Sequence, residues 1–184
     1  PDKLYKKIVD DNLEETYKTV ADLIIEKKRD KKLVITGIAG EAAAGKTFFT
    51  ERLQEMLISR GLRVAVLEVD GYLKPRAERR LRGLHGINAI DFLAMKEDVQ
   101  ALRAGRSVVS RRYVPFTGKI IRDGMVDPNN FDVIILEGNI SFVQQSVRDN
   151  MDLKIFLDEP FVVRFDSRVE RDSTKKEYTT ETAI

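Results

Sequence analysis

Cysteine is missing from all 184 residues, which excludes thiol chemistry, Cys-ligated zinc and disulfides. Histidine is nearly as scarce, since His85 is the only one. Without a second imidazole a His-based metal site is excluded, and His85 fits a loop or packing role better than catalysis. Long hydrophobic runs are also lacking. No stretch approaches the length of a membrane span and no signal sequence opens the chain, so no membrane partner and a cytoplasmic location are expected. Excess charge of one sign is missing too: 32 Lys and Arg against 30 Asp and Glu leave a formal net charge of +2. Nothing global therefore calls for nucleic acid as a partner. Repeats, low-complexity tracts and linker compositions do not occur. What is present is 42% apolar and 34% charged residues, the balance of one folded domain with a single buried core. The chain begins at Pro1, so its native start is expected to lie upstream.

The most informative stretch is 33–49, LVITGIAGEAAAGKTFF. Its first six residues are apolar and β-branched, which suits a strand buried on both faces. Next, Gly40 to Thr47 matches the phosphate-loop pattern G-x-x-x-x-G-K-[ST]. Beyond it Phe49, Leu53, Met56 and Leu57 recur at helical spacing, and Gly61 closes the helix from the C′ position. The pattern answers to charge. Unpaired N–H groups at a helix N-terminus, with the helix dipole behind them, face the negative charges of a nucleotide triphosphate. Gly40 and Gly45 are expected to let the backbone approach the phosphate oxygens, because no Cβ intervenes. Lys46 can reach the β- and γ-phosphates, and the Thr47 hydroxyl can ligate Mg²⁺. The expected nucleotide-binding set is Gly40, Glu41, Ala42, Ala43, Ala44, Gly45, Lys46, Thr47 and Phe48, with ATP and Mg²⁺ as cofactors. The middle of the loop is rich in Ala where many such loops carry Gly or Ser.

Upstream, residues 3–29 are charged and helical. Asn12 with Glu15 forms a capping-box pattern, and Leu13, Tyr17, Val20 and Ile24 make one apolar stripe. Leu4, Tyr5, Ile8 and Val9 suggest a shorter helix before it. Downstream, 63–69 (RVAVLEV) predicts the second strand, with Asp70-Gly71-Tyr72-Leu73-Lys74-Pro75 at its C-terminal end. Ligands of open parallel sheets bind outside those ends, so Asp70 would reach the same rim as Lys46. Asp70 is the acceptor of a substrate hydroxyl proton, or a Mg²⁺ partner through water, or a turn aspartate beside a turn glycine. The run 76–92 is basic and glycine-punctuated. Arg76, Arg79, Arg80 and Arg82 could hold an anionic substrate or form a solvated face.

Phe92, Met95, Val99 and Leu102 fall on one helical face that Gly105 ends. Residues 107–115 and 119–126 predict a hairpin turning around Phe116-Thr117-Gly118, with Arg112, Tyr113 and Lys119 as candidate substrate contacts. The run 131–136 (FDVIIL) is the third buried strand and ends in Glu137-Gly138, where a carboxylate fits the Walker-B role of holding the Mg²⁺ shell. Residues 153–157 form a fourth strand, and Asp158-Glu159-Pro160 opens a helix carrying Arg164, Arg168 and Arg171 on one face. Those arginines could clamp a transferring phosphoryl group, or pair with the interleaved Asp166, Glu170 and Asp172. After Lys175 the chain turns polar, and a truncated or mobile C-terminus is expected. Strand and amphipathic helix alternate as in a doubly wound α/β unit.

Taken in order, Gly40 to Thr47, Asp70-Gly71-Tyr72, Ile90-Asp91-Phe92, Tyr113, Glu137-Gly138 and Arg164/Arg168/Arg171-Asp172 resemble the phosphoribulokinase/uridine kinase family of P-loop small-molecule kinases. The resemblance runs over about residues 33–176 and is more specific than the loop alone. It implies a three-layer α/β P-loop NTPase fold, mainly parallel, with a small substrate-side hairpin and a lid helix. The whole of 1–184 would be one kinase domain, with 1–32 as an N-terminal helical extension. The implied activity is ATP-dependent phosphorylation of a hydroxyl on a small metabolite. Lys46 would hold the phosphates, Thr47 and Glu137 would organise Mg²⁺, and Asp70 would be the base beside the metal. Arg168 and Arg171 would belong to the lid, with Lys176 where relatives usually have a further arginine. Asp70, Tyr72, Lys74, Arg112, Tyr113 and Lys119 would face the acceptor. One departure bears on specificity. Uridine kinases carry Tyr-Asp-Tyr followed by a base-contacting histidine, whereas this chain has Tyr113-Val-Pro-Phe-Thr-Gly. Uridine or cytidine is thus not selected, a nucleoside-, sugar- or pantothenate-like acceptor all stay open, and so does a homo-oligomer. The rival expectations are a nucleotide-responsive switch without a small substrate, and nucleic-acid binding through 76–82, which the near-balanced charge disfavours.

Overall fold

Alternate residues of a strand point to opposite faces, and the buried strands here supply two cores in that way. Val34 and Ile38 of β1 (Val34–Gly40) and Val133 and Ile135 of β5 (Val133–Glu137) pack on one side of the sheet. Ile35, Ile134 and Leu136 pack on the other. The computed structural model describes residues 13–161 together with Phe165 and Val169. Its main sheet has four strands in the order β2-β5-β1-β6, with β2 at Val64–Glu68 and β6 at Leu153–Leu157, and every pairing is parallel.

Helices α1 (Leu13–Arg29) and α2 (Lys46–Ser59) cover the first face with Tyr17, Val20, Ala21, Ile24, Phe49, Leu53 and Leu57. Acidic Glu14 and Glu15 at the start of α1 and Lys27, Lys28 and Arg29 at its end complement the helix dipole. Leu13, expected on the apolar stripe, is exposed, and Ala21 fills the stripe instead. The Asn12 cap and the shorter helix before it lie outside the described residues. Met95, Val99 and Leu102 of α4 (Phe92–Arg103) cover the second face, and the Asp91 carboxylate caps that helix by accepting from the Ala94 N–H at 3.0 Å. Alpha helix α3 (Arg76–Leu81) buries nothing and leads into this layer, while α5 (Gln145–Arg148) contributes Val147. Among the described residues no helix is long and apolar enough to cross a membrane.

Strands β3 (Val108–Val114) and β4 (Lys119–Val126) form a separate antiparallel hairpin, as the sequence predicts. It sits against the 3₁₀ turn Val69–Tyr72 that follows β2. A Cβ on Gly71 would collide with the Arg111 carbonyl oxygen, so glycine is what lets hairpin and turn meet.

Two aspartates clamp the strand entries. The Asp152 carboxylate accepts from the Ile35 N–H and from the Arg103 guanidinium, each at 2.8 Å. Asp132 accepts from both the backbone N–H and the side chain of Arg63 at 3.0 Å, which holds its pKa down at about 2 against an ordinary 3.8. A carboxyl depressed on folding contributes stability above its unfolded pKa and loses it as pH falls through the folded value. Asp132→Asn is therefore expected to destabilise the protein at neutral pH and to flatten the loss of stability between about pH 4 and pH 2. Urea unfolding across that range measures it, and parallel curves for the two proteins would deny Asp132 the role.

Candidate active site

The phosphate loop lies between β1 and α2, at the C-terminal end of the parallel sheet. Its two glycines serve different ends. A Cβ on Gly40 would stand 2.6 Å from the Leu157 carbonyl oxygen, so that residue is small because β6 passes against it. Gly45 is constrained differently: its φ is 73°, a conformation that favours glycine, and its Cβ position opens onto unfilled space, as the expected approach to phosphate requires. Ala43 also has a positive φ, 65°, which costs an alanine roughly 1 kcal/mol. Ala43→Gly is expected to raise unfolding stability by up to about 1 kcal/mol, whereas Ala44→Gly, at a buried position, is expected not to. Chemical denaturation of both variants measures this, and equal effects would remove the strain at Ala43.

Lys46 is buried to 8% exposure, and its ammonium donates to the Glu41 carbonyl at 2.7 Å, so the loop wraps around the cation. The first turn of α2 contains no acid that would compete with an anion. Thr47 is exposed at the same turn. Phe48 is expected in the nucleotide set, yet its ring lies by the Arg52 guanidinium in a cavity with Leu13 and Tyr17. What it can offer a phosphate is its backbone N–H.

A rim of carboxylates faces this cation. Glu68 and Glu137 are register partners at the ends of β2 and β5, side by side on neighbouring parallel strands. Burial pushes the Glu137 carboxyl up; Lys46 offsets that in part, and the charges of Glu68, Asp70 and Glu51 add to it. The Glu68 carboxyl is also raised, by burial and then by Asp70, with Arg112 opposing. Asp70 is exposed on the 3₁₀ turn between buried Val69 and Gly71. Gly138 permits the closeness of that turn, since a Cβ there would strike the Val69 side chain. No group of three or more His, Cys, Asp or Glu among the described residues makes a metal cage. Mg²⁺ needs none, because it keeps several waters and takes one or two carboxylates plus substrate phosphates. Carboxylates crowded around Glu137 and within electrostatic reach of Lys46, with the Thr47 hydroxyl on the first turn of the same helix as Lys46, are a donor set whose chemistry fits that arrangement.

The expected acceptor contacts separate. Lys74 and Lys119 line a cleft of 730 Å³ between the 71–80 segment and the hairpin. Tyr72 reaches it only as floor: it is 3% exposed, under the Arg111 guanidinium, with burial and Asp98 holding its hydroxyl protonated. Neither Arg112 nor Tyr113 lines the cleft. Arg112 faces Glu68 and lies 4.0 Å from Asp123, while the Tyr113 hydroxyl accepts from Arg79 at 3.2 Å. Arg76 and Arg79, which composition left between anion site and solvated face, pin α3 to the hairpin and to the preceding turn: Arg76 donates to the Pro115 carbonyl at 2.7 Å and Arg79 to that of Lys74 at 2.9 Å. Sequence reasoning missed Glu68, whose only signal is the strand register, and the 2.9 Å Arg111–Asp98 ion pair beneath the cleft. Arg164, Arg168, Arg171 and Lys176 lie outside the described residues.

Strand, glycine-bounded loop and helix, with carboxylates at the ends of two neighbouring parallel strands, define a P-loop α/β domain. Residues 35–184 match the model of the phosphoribulokinase/uridine kinase family, and the chain belongs to that family. It is 27% identical over 152 residues to a phosphoribulokinase of Synechocystis sp., covering 82% of this chain and 45% of that protein. To uridine-cytidine kinase B of Dictyostelium discoideum it is 28% identical over 147 residues, 77% of this chain and 59% of that protein. The chain thus spans about half the length of these curated relatives. Among solved structures it shares the fold of a possible uridine kinase from Bacillus stearothermophilus, with a TM-score of 0.71, 22% identity and 92% of each chain covered.

Proposed function

We propose that this chain is the P-loop domain of an ATP- and Mg²⁺-dependent kinase that phosphorylates a hydroxyl of a small metabolite. The observation that carries the reading is the meeting of three elements at one rim: the phosphate loop with Lys46, the turn bearing Asp70, and Glu137 at the end of β5. Lys46 and the first amides of α2 bind and orient the polyphosphate. Thr47 and Glu137 would hold Mg²⁺, directly or through water, and the ion supplies neutralisation of the charge that develops on the phosphates. Asp70 takes the proton of the acceptor hydroxyl as its oxygen bonds to the γ-phosphorus and the bond to the β-phosphate oxygen breaks, releasing ADP. Glu68, beside Glu137, keeps the rim negative toward the metal. Arg168 and Arg171 are assigned to the lid on the family resemblance alone.

The test is twofold: titration of the full-length protein with ATP·Mg²⁺, then a screen of hydroxyl-bearing metabolites for ADP release. Saturable binding with turnover that rises sharply for a subset of acceptors is the expected result. Saturable binding with a flat response across the panel would replace the kinase with a nucleotide-dependent switch, and no binding at all would remove both.

A further inference from the structure

The cleft beside the rim carries far more positive charge than its fold requires. Lys74, Arg80, Lys119 and Arg122 all line it, and their side chains form no ion pair or hydrogen bond among the described residues. The two acids on its wall are already engaged: Glu78 pairs with Arg82 at 2.8 Å, and Asp91 caps α4. A second observation comes from the hairpin register. Arg111 and Arg122 stand directly opposite each other across β3 and β4. Like charges in that position destabilise a sheet. Asp98 neutralises Arg111 at 2.9 Å, while Arg122 is exposed at the cleft with no such partner. Cations without partners among the described residues, converging from α3, from the preceding turn and from the start and the middle of β4, describe a receptor for an anion. The cleft volume, 730 Å³, is that of a metabolite site. Gly71 places it one residue from Asp70.

Resting on the kinase reading above, we infer that the acceptor is itself an anion, a hydroxyl compound bearing a phosphate monoester or a carboxylate. Its charged end sits among Lys74, Arg80, Lys119 and Arg122, and its hydroxyl is turned toward Asp70. Guanidinium groups match either oxyanion bidentately, and the lysines add point charge. Neutral sugars and nucleosides leave those four cations unanswered and bind weakly.

The experiment uses the full-length protein with its phosphate loop first saturated by a non-hydrolysable ATP analogue and Mg²⁺, so that anions cannot score by occupying the loop. Ribose 5-phosphate and glycerate are then titrated against ribose and glycerol, in the native protein and in the Arg80→Glu/Arg122→Glu variant. Both substituted residues are exposed, and unchanged affinity for the ATP analogue verifies that the variant is folded. The expected result is saturable binding of at least one anionic compound, at least tenfold tighter than its neutral counterpart and weakened at least tenfold in the variant. Which of the two anions binds distinguishes phosphate from carboxylate. Equal affinity for charged and neutral members of each pair, or anion binding indifferent to the charge reversal, would overturn the inference while leaving the kinase reading in place. Failure of the ATP analogue to bind would instead strike at that reading, and the paired titrations would still report on the cleft.

Discussion

Lys46→Ala is expected to reduce phosphoryl transfer by about 10³-fold or more, beyond the 10²- to 10³-fold typical of losing one preorganised donor. Two further losses explain the excess. The ammonium is the buried group around which the loop folds, through its 2.7 Å bond to the Glu41 carbonyl. Without it the amides of 41–48 lose the contact that preorganises them, so binding and chemistry suffer together. Lys46 also offsets the burial and the neighbouring charges that raise the Glu137 carboxyl. Its removal leaves Glu137 still more prone to protonation, which weakens the residue assigned to Mg²⁺. A coupled assay of ADP release measures the rate, and an ATP·Mg²⁺ titration separates the binding loss from the chemical one. Turnover near that of the native protein would remove the phosphate-loop assignment altogether.

Local signals and distant ones account for what the sequence could and could not disclose. β1, the loop and α2 were legible because the strand run, the glycine spacing and the apolar 3.6-residue period all lie within about thirty neighbouring positions. The hairpin was legible too, with its turn at Phe116-Thr117-Gly118. Helix α5, only four residues long, has no period to detect. The Glu68–Glu137 pair depends on a parallel register between strands far apart in the chain, which no local pattern encodes. Tyr72 follows Asp70-Gly71 and does line the cleft, but that its ring packs beneath Arg111 is a matter of three-dimensional packing that no local pattern encodes. The arginines of α3 divided for a similar reason. Arg76 and Arg79 meet backbone carbonyls, whereas Arg80 reaches the cleft. Composition alone treats them alike. Gly40 fits the motif for a reason the motif does not state, namely the passage of β6.

Asp70→Asn is expected to keep nucleotide affinity within a few-fold and to lower turnover by about 10²- to 10⁴-fold, the range for removing a general base. The substitution separates the two readings of this residue because its turn does not depend on the carboxylate. The Leu73 N–H donates to the Asp70 backbone carbonyl at 3.1 Å, and buried Val69 and Tyr72 anchor the segment on either side. Asparagine preserves size and backbone preference at a turn, so the fold is retained. Removing the charge also relieves Glu68 and Glu137, whose carboxyls Asp70 pushes up, so stability is expected to be unchanged or higher. A protein as stable as the native one, binding ATP·Mg²⁺ normally yet slow at transfer, would place the loss in proton removal. A rate within a few-fold of the native protein would make Asp70 a turn residue and move the search for the base to its neighbour Glu68, which shares the rim and whose carboxyl desolvation and Asp70 raise above the ordinary value.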